Sequence, residues 1–598
     1  MHVSDPRLAA LSQQLATLGV DLYLQPMGDE FQGEYTPASA ARLPWLTGFG
    51  GSAGMGAFWA AAHGARRHTL FVDGRYTLQA VQQVGPQVAV LHSGEVTLAQ
   101  WLAQQAGNLV IGFDPWLMTQ AQVEDLQKAT QHLPVRWQAI ANPVDAVWDD
   151  RPAPPSGKVA LQPLELAGVS YEEKRSALLE KMGAQGVDGV LLTLPDGINW
   201  LLNIRGEDIP FNPLLLGYLA IKNNSESILY TFDRTFIQDV DAYLKSQQVR
   251  VSSITEFWAG KSALGKPGGK WMIDASVSAA GFWELAAQQR IELLRAEDPT
   301  LLPKACKNPA ELEGVRVAHG RDGVALSRAL CWLDGRVRGG NLPDELEVVA
   351  KLEGYRRQSN LYREPSFATI AGSGPHGAIV HYRADAASNR RLKKGDLFLL
   401  DSGGQYADGT TDVTRTVSIG EPTTQMKEHY TRVLKGHIAL ATARFPAGTS
   451  GPQLDVLARQ YLWAEGLDYD HGTGHGVGAY LCVHEGPQRI AKKGSGVALQ
   501  PGMILSNEPG YYLEGKYGIR IENLVVVVKI GATEKGKDML GFETLTLAPI
   551  DTRLVEVKLM TADERNWLND YHRRVYKALS PAMDASERHW LDAATRAV

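Results

Sequence analysis

Short apolar runs bounded by glycine, proline and aspartate alternate along this chain with stretches where apolar residues recur every three or four positions. The first kind reads as buried strands, the second as amphipathic helices. Residues 1–20 read as a short amphipathic helix that leads into Gly19-Val20-Asp21-Leu22-Tyr23-Leu24, with Trp45-Leu46-Thr47-Gly48-Phe49-Gly50-Gly51 further on. The same order returns later. A helical stretch over 171–182 leads into Gly186-Val187-Asp188-Gly189-Val190-Leu191-Leu192, followed by Trp200-Leu201-Leu202-Asn203-Ile204-Arg205-Gly206. The spacing between the two marks differs, so an insertion is required. A repeat of this length predicts two related α/β domains in tandem.

Residues 142–157, rich in Pro, Asp and Ala, read as a linker. A second boundary falls near 303–309, where Pro309-Ala310-Glu311-Leu312-Glu313 opens a helical pattern reaching Trp332. Proline at a helix start followed by glutamates suits an N-terminus. The tail turns helical again over 561–576. The expected partition is 1–155, 156–305 and 306–598, the last carrying a C-terminal extension. A chain of 598 residues agrees with about three domains at roughly 100–200 residues each. The glycine-rich stretch 47–56, with Asp73 beyond it, loosely matches a dinucleotide fingerprint. The preceding Leu43-Pro44-Trp45-Leu46 is a poor strand, however, and a tight turn is expected instead.

Composition narrows the class. A formal net charge of -6 leaves no electrostatic footprint for nucleic acid or an anionic membrane. The longest apolar stretches, such as 214–221 and 524–528, are far too short to span a bilayer, and residues 1–20 lack the apolar core of a signal peptide. The three cysteines, Cys306, Cys331 and Cys482, are odd in number, far apart and without zinc-ligand spacing, which suits a reducing compartment; a cytoplasmic protein is expected.

Five residues stand out in apolar or glycine-flanked settings: Asp401, Asp412, His475, Glu508 and Glu522. The first two lie in a run over 396–417 that reads as a hairpin. A loop centred near Tyr406 and Ala407 sets Asp401 opposite Asp412. A tight Asp408-Gly409 turn pairs Asp401 with Thr416 instead, and a bulge at Gly403-Gly404 would adjust either register. Sequence leaves the two open. Glu508 ends the apolar run 503–507 and Glu522 lies inside Gly518-Ile519-Arg520-Ile521-Glu522. Their midpoint is Gly515, so a hairpin turning at Glu514-Gly515-Lys516 brings the two glutamates face to face. Carboxylates inside apolar strands are costly unless paired or metal-bound. Two like charges about 4 Å apart at an effective dielectric near ~20 repel by roughly 4 kcal/mol. Four converging carboxylates therefore match two divalent cations, with His475 adding a neutral nitrogen. Oxygen-rich ligation with one imidazole favours Mn²⁺-like ions over a structural zinc, with Zn²⁺ and Co²⁺ as alternatives.

Histidines gather nearby, in His471-Gly472-Thr473-Gly474-His475-Gly476-Val477-Gly478 and in His484-Glu485-Gly486-Pro487. Flanking glycines let the backbone approach a site closely, which favours a functional reading. His381, in Ala378-Ile379-Val380-His381-Tyr382, reads on its own as a core histidine of an apolar strand. Asp455, Asp468 and Glu485 read as surface or capping groups, and Cys482 as a packing residue with nothing to activate its thiol.

Together these runs resemble the aminopeptidase P (X-Pro aminopeptidase) family. Leu400-Asp401-Ser402-Gly403-Gly404-Gln405-Tyr406, Asp408-Gly409-Thr410-Thr411-Asp412-Val413-Thr414-Arg415-Thr416, the two histidine runs, Asn507-Glu508-Pro509-Gly510-Tyr511-Tyr512 and Gly518-Ile519-Arg520-Ile521-Glu522-Asn523 stand in that family's order and spacing. Leu70-Phe71-Val72-Asp73-Gly74-Arg75-Tyr76, Asn203-Ile204-Arg205-Gly206 with Asn212-Pro213, and Trp567-Leu568-Asn569 with Tyr571-His572 are similar to the remaining parts of its long, three-domain cytosolic form. The one small departure is His376, where asparagine is more usual. The resemblance implies an α/β (α+β) architecture, with two creatinase-N-like α/β domains ahead of a pita-bread metallopeptidase domain.

The resemblance further implies that Asp401, Asp412, His475, Glu508 and Glu522 hold two metal ions, Asp412 and Glu522 bridging them. His381, His471 and His484 fall on active-site histidines, and Arg520 on an arginine behind the ligands. Water activated between the metals would attack the X-Pro carbonyl. Glu508 would carry the proton and His484 would hydrogen-bond the developing charge, with His381 on the proline side. Proline's tertiary amide has no N–H, so a pocket shaped for the ring gains specificity that general peptidases lack. Peptides with proline second are the expected partners, and a homodimer is expected from the family. A prolidase, cutting X-Pro dipeptides, is the nearest alternative. A non-catalytic peptide-binding module of the same fold generally loses its metal ligands, and none is missing here.

Overall fold

The structure is a computed structural model that describes residues 5–64, 66–105, 107–262, 264–494 and 496–598; the first four residues of the expected N-terminal helix lie outside that set. The chain forms two compact units, one of residues 1–163 with 169–300 and the other of 164–168 with 301–598.

The first unit holds two six-stranded sheets with one topology. The helix Asp5–Thr17 leads into the strand Leu22–Pro26, and the helix Tyr171–Gln185 leads into Gly189–Leu192. In each sheet this strand is central. It pairs antiparallel with the next long strand and parallel with the fifth, and a parallel strand closes each edge. The repeated Gly-Val-Asp does the same job twice: Asp21 Oδ2 accepts from Val110 N at 2.8 Å and Asp188 Oδ2 accepts from Lys270 N at 2.9 Å. Each carboxylate thus stitches the central strand to its parallel neighbour. The two tryptophan runs form the short helices Arg42–Thr47 and Pro195–Leu202, closed by left-handed residues Gly48 (φ 79°) and Asn203 (φ 50°). The Gly-rich stretch is therefore a helix exit, not a strand-borne loop. The expected linker is less loose than its composition suggests: Val144 and Trp148 pack into the first core, and Trp148 stacks on Trp45 at 5.1 Å. Between the two halves of this unit, Phe31 packs on Tyr218 at 5.1 Å, and Tyr218 donates to the Glu30 carbonyl at 2.7 Å.

After the short helix Leu301–Ala305, the second unit is built on the long helix Pro309–Arg338. Asn308 and Glu311 form a reciprocal capping box at its start, behind a first-turn proline. Three strands, Ile370–Ser373, Leu397–Ser402 and Val413–Ser418, make one sheet. A second, six-stranded sheet runs in the order Phe445–Pro446, Asp538–Thr544, Asn523–Ala532, Ile504–Asn507, Gly474–Gly476 and Glu485–Ile490. The helices Thr424–Ala441 and Ala562–Leu579 share a core with the hairpin Gly510–Leu513/Tyr517–Arg520.

The registers decide what meets at the site. Gly510 pairs with Arg520 and Asn507 with Asn523, so both ladders are centred on Gly515 and carry Glu508 opposite Glu522, as the turn residues predict. Gly515 itself adopts φ 71°. The other hairpin follows neither expected register. Asp401 pairs with Thr414 and Tyr406 with Gly409, so the chain turns at Ala407-Asp408 and Asp412 lies just beyond the paired strand. The cause is tertiary. Arg321, on the long helix, clasps Asp408, and a Cβ at Gly314 would lie 2.4 Å from the Asp408 carbonyl oxygen, so the turn is pressed against that helix.

Candidate active site

The two sheets of the second unit bring their acidic residues together. Among the described residues, Asp412, His475 and Glu522 each place a ligand atom within 4.8 Å of the other two. His475 Nε2 stands 3.5 Å from Asp412 Oδ2 and 3.6 Å from Glu508 Oε1. Its other nitrogen, Nδ1, lies 3.0 Å from the Gly476 carbonyl, which can only accept. Nδ1 therefore carries a proton, and Nε2 is aimed at two carboxylate oxygens.

Such a gathering of acids is repulsive without a cation. Asp412 and Glu522 are buried and their carboxyls are pushed well above the ordinary range, first by desolvation, then by Glu522 for Asp412 and by Glu508 for Glu522, with Asp401 adding to both. Glu508 is pushed up to about 7, mainly by burial, with Asp401 adding to the rise and Arg520 opposing it. Asp401 Oδ1 is buried with no hydrogen-bond partner among the described residues. An orphaned carboxylate oxygen, an imidazole nitrogen and crowded acids are the donor set that divalent cations satisfy, so these residues fit a metal centre.

A polar chain backs the cluster. Arg520 donates to Asp401 Oδ2 at 2.5 Å, to Thr414 Oγ1 at 3.1 Å and to the Tyr512 hydroxyl at 2.5 Å. Thr414 in turn donates to Glu522 Oε2 at 2.8 Å. His471 Nδ1 lies 2.8 Å from the Gly472 carbonyl, so its Nε2 accepts from Tyr512 Oη at 2.8 Å. His484 stacks edge-on against His475, ring centroids 4.3 Å apart. His381 sits in a turn rather than the strand expected; the carbonyl before it, of Val380, lies 3.5 Å from Arg520 Nη2.

Behind the strands, buried Arg415 donates to the Glu522 carbonyl at 2.6 Å and to Asn523 Oδ1 at 2.8 Å. Buried His437 gives its Nδ1 proton to the Asn507 carbonyl at 3.1 Å and accepts from Asn523 Nδ2 at 3.2 Å. Desolvation and Arg415 hold its pKa down to about 3, so it is a neutral strut.

Two expectations are corrected, those for Asp455 and Glu485. Asp455 is buried: it accepts from Thr473 Oγ1 at 2.5 Å and from Arg459 Nε at 2.7 Å, holding the His471 run. Glu485 is buried between Lys304 and Lys307. Asp468 lies at the surface as expected, paired with Arg459 and Lys492. Sequence reading passed over Thr414 and Tyr512. Thr414 stands two positions after Asp412, the same-face spacing of a strand, which is the signal that could have found it.

Two creatinase-type sheets ahead of a domain whose strands converge on acids and a histidine define a class, the pita-bread metallopeptidases. Residues 7–147 and 150–311 match creatinase/prolidase N-terminal domains, 313–529 match metallopeptidase family M24, and 538–598 match its C-terminal region. A "Probable Xaa-Pro aminopeptidase P" of Ajellomyces capsulatus is 38% identical over 618 residues, covering 99% of both chains. Its counterpart in Aspergillus fumigatus is 39% identical over 610 residues, covering 98% of this chain and 92% of that one. The crystal structure of X-prolyl aminopeptidase from Caenorhabditis elegans, described as a cytosolic enzyme with a di-nuclear active site, superposes over 100% of both chains with a TM-score of 0.93 at 34% identity. A Xaa-Pro dipeptidase from Bacillus anthracis covers 64% of this chain and 99% of its own, with a TM-score of 0.50 at 25% identity. The chain belongs to the Xaa-Pro aminopeptidase P family, within metallopeptidase family M24.

Proposed function

We infer that this chain is a metal-dependent aminopeptidase that releases the first residue from peptides whose second residue is proline. The observation that carries this reading is full-length kinship with X-prolyl aminopeptidases around an intact acid-and-histidine cluster. A dipeptidase reading leaves more than a third of the chain without a counterpart, since that likeness stops at 64%.

Asp401, Asp412, His475, Glu508 and Glu522 would hold two divalent cations, with Mn²⁺ favoured by the oxygen-rich donor set. When bound, the cations would offset the carboxylates, make water a nucleophile near neutral pH and polarise the scissile carbonyl. Glu508 takes the proton from the attacking water and returns it to the proline nitrogen; Ser506 Oγ, 3.2 Å from Oε1, holds it in that pose. His484 donates a hydrogen bond to the carbonyl oxygen as charge develops there. His381 lines the proline side. His471, held by Tyr512, stands beside the substrate path, and Arg520 fixes Asp401 while balancing its charge. The same reading makes the protein a cytoplasmic homodimer with domains 1–155, 156–305 and 306–598. Among the described residues no helix is long and apolar enough to cross a membrane.

The test is release of the first residue from an X-Pro-Y tripeptide by chelator-stripped protein, with and without Mn²⁺, beside an X-Pro dipeptide. Metal-dependent cleavage of the tripeptide is expected. Cleavage of the dipeptide alone would make the protein a prolidase, and cleavage of neither by metal-loaded protein would leave a binding module.

A further inference from the structure

His484 approaches the site from a loop that links two strands of one sheet. The strand Gly474–Gly476 carries His475, the chain then leaves the sheet, and it re-enters at Glu485 immediately after His484. Such a loop has to be held if His484 is to stay 4.3 Å from His475. Two devices hold it. Midway, the Leu481 carbonyl accepts from Gln405 Nε2 at 2.7 Å, and Thr410 Oγ1 in turn donates to Gln405 Oε1 at 2.7 Å. At the far end stands a buried ion cluster: Lys304 Nζ lies 2.9 Å from Glu485 Oε2, and Lys307 Nζ donates to Glu485 Oε1. All three side chains are at most 1% exposed.

Two ammonium groups on one carboxylate are more charge than packing requires, and a buried pair of this kind ties its partners to one geometry because losing either strands the other. The lysines are themselves anchored: Lys307 N donates to the Gly502 carbonyl at 3.0 Å, beside the strand that ends in Asn507. Glu485 pairs with Gly476, the residue after His475, and a Cβ on Gly476 would lie 2.3 Å from the Glu485 carbonyl oxygen. The backbone of Glu485 therefore lies between the two histidine segments, while its carboxylate is gripped from behind by the lysines.

We propose that Lys304, Lys307 and Glu485 form a positioning clamp that sets His484 for its hydrogen bond to the developing oxyanion. The proposal rests on the role given to His484 above. The clamp residues touch no substrate and act through His484 alone.

The test compares Lys307→Met, which keeps the unbranched stem of the side chain and removes its ammonium, in the parent and in a His484→Ala background. Lys304→Met, which leaves a neutral one-to-one pair, is read in the same way. Expected in metal-loaded enzyme is a loss of ~10–100-fold in kcat on an X-Pro-Y tripeptide, with KM and metal content unchanged. Lys307→Arg restores most of it. In the His484→Ala background the same lysine substitutions cost less than about twofold, because the group they position is gone. Equal losses in both backgrounds, or a lowered Tm with parental kcat, would overturn the clamp while leaving the role of His484 standing. Parental rates in His484→Ala itself would overturn that role, and the clamp with it.

Discussion

Glu508 is pulled two ways. Burial and the neighbouring Asp401 raise its pKa, yet Arg520 and the Ser506 hydroxyl favour its ionised form. A group poised like this changes protonation readily once the site is formed. Replacing it by glutamine keeps volume and one ligand oxygen but removes the proton acceptor. Glu508→Gln is expected to lower kcat by ~10²–10⁴-fold. Metal content, read by elemental analysis, is expected to stay near that of the parent; near-parental turnover would remove Glu508 as proton carrier. Tyr512 is the second residue with a sharp expectation. Its hydroxyl accepts from Arg520 and donates to His471, so Tyr512→Phe strands both. A loss of about 1–3 kcal/mol in stability follows from the stranded groups. A fall of roughly tenfold in kcat/KM is expected at unchanged metal content, since Asp401 keeps its own arginine contact.

At the scale of elements, the site is a matter of register. The strand Gly474–Gly476 lies so close to Ile504–Asn507 that a Cβ on Gly474 would stand 2.1 Å from the Ser506 carbonyl oxygen. Gly474→Ala must push the strand outward and take His475 from Asp412 and Glu522. Metal affinity, measured by titration of stripped protein, is expected to fall ~10–100-fold, whereas Gly515→Ala, where nothing lies near, costs only the strain of its φ 71°. The contrast shows where sequence is informative. The Glu508–Glu522 pairing was legible because Gly515 sits in a local turn that specifies its own register. The tandem sheets were legible because Gly-Val-Asp and the tryptophan runs repeat a local design. The Asp401–Asp412 hairpin was not, since its turn at Ala407-Asp408 is set by Arg321 and Gly314 on a distant helix. Glu485 was misread for the same reason: Lys307, its partner, lies 178 positions away. Asp455 was more accessible, for Arg459 follows it at the i,i+4 spacing of a helical ion pair.

For the whole molecule, the metal centre couples stability to pH. In metal-free protein Asp412 and Glu522 are pushed well above the ordinary carboxylate range, and Glu508 to about 7, whereas unfolded carboxyls ionise near ~4. Between those values the folded state binds more protons than the unfolded one, so the stripped protein loses stability as pH rises. For Glu508 alone the rise to about 7 corresponds to roughly 3 kcal/mol against the ionised form. Below pH ~4 both states are protonated and the penalty is absent; above the folded values it is fully developed. Divalent cations reverse the sign, because they bind the ionised carboxylates and bind them only in the folded state. The Tm difference between Mn²⁺-loaded and stripped protein is therefore expected to be small at pH 5 and to widen steadily towards pH 8. Scanning calorimetry at fixed ionic strength checks it. A gap that is flat across this range, or that narrows, would mean that the acids do not share cations in the folded protein, and the cluster would need another source of positive charge to remain buried.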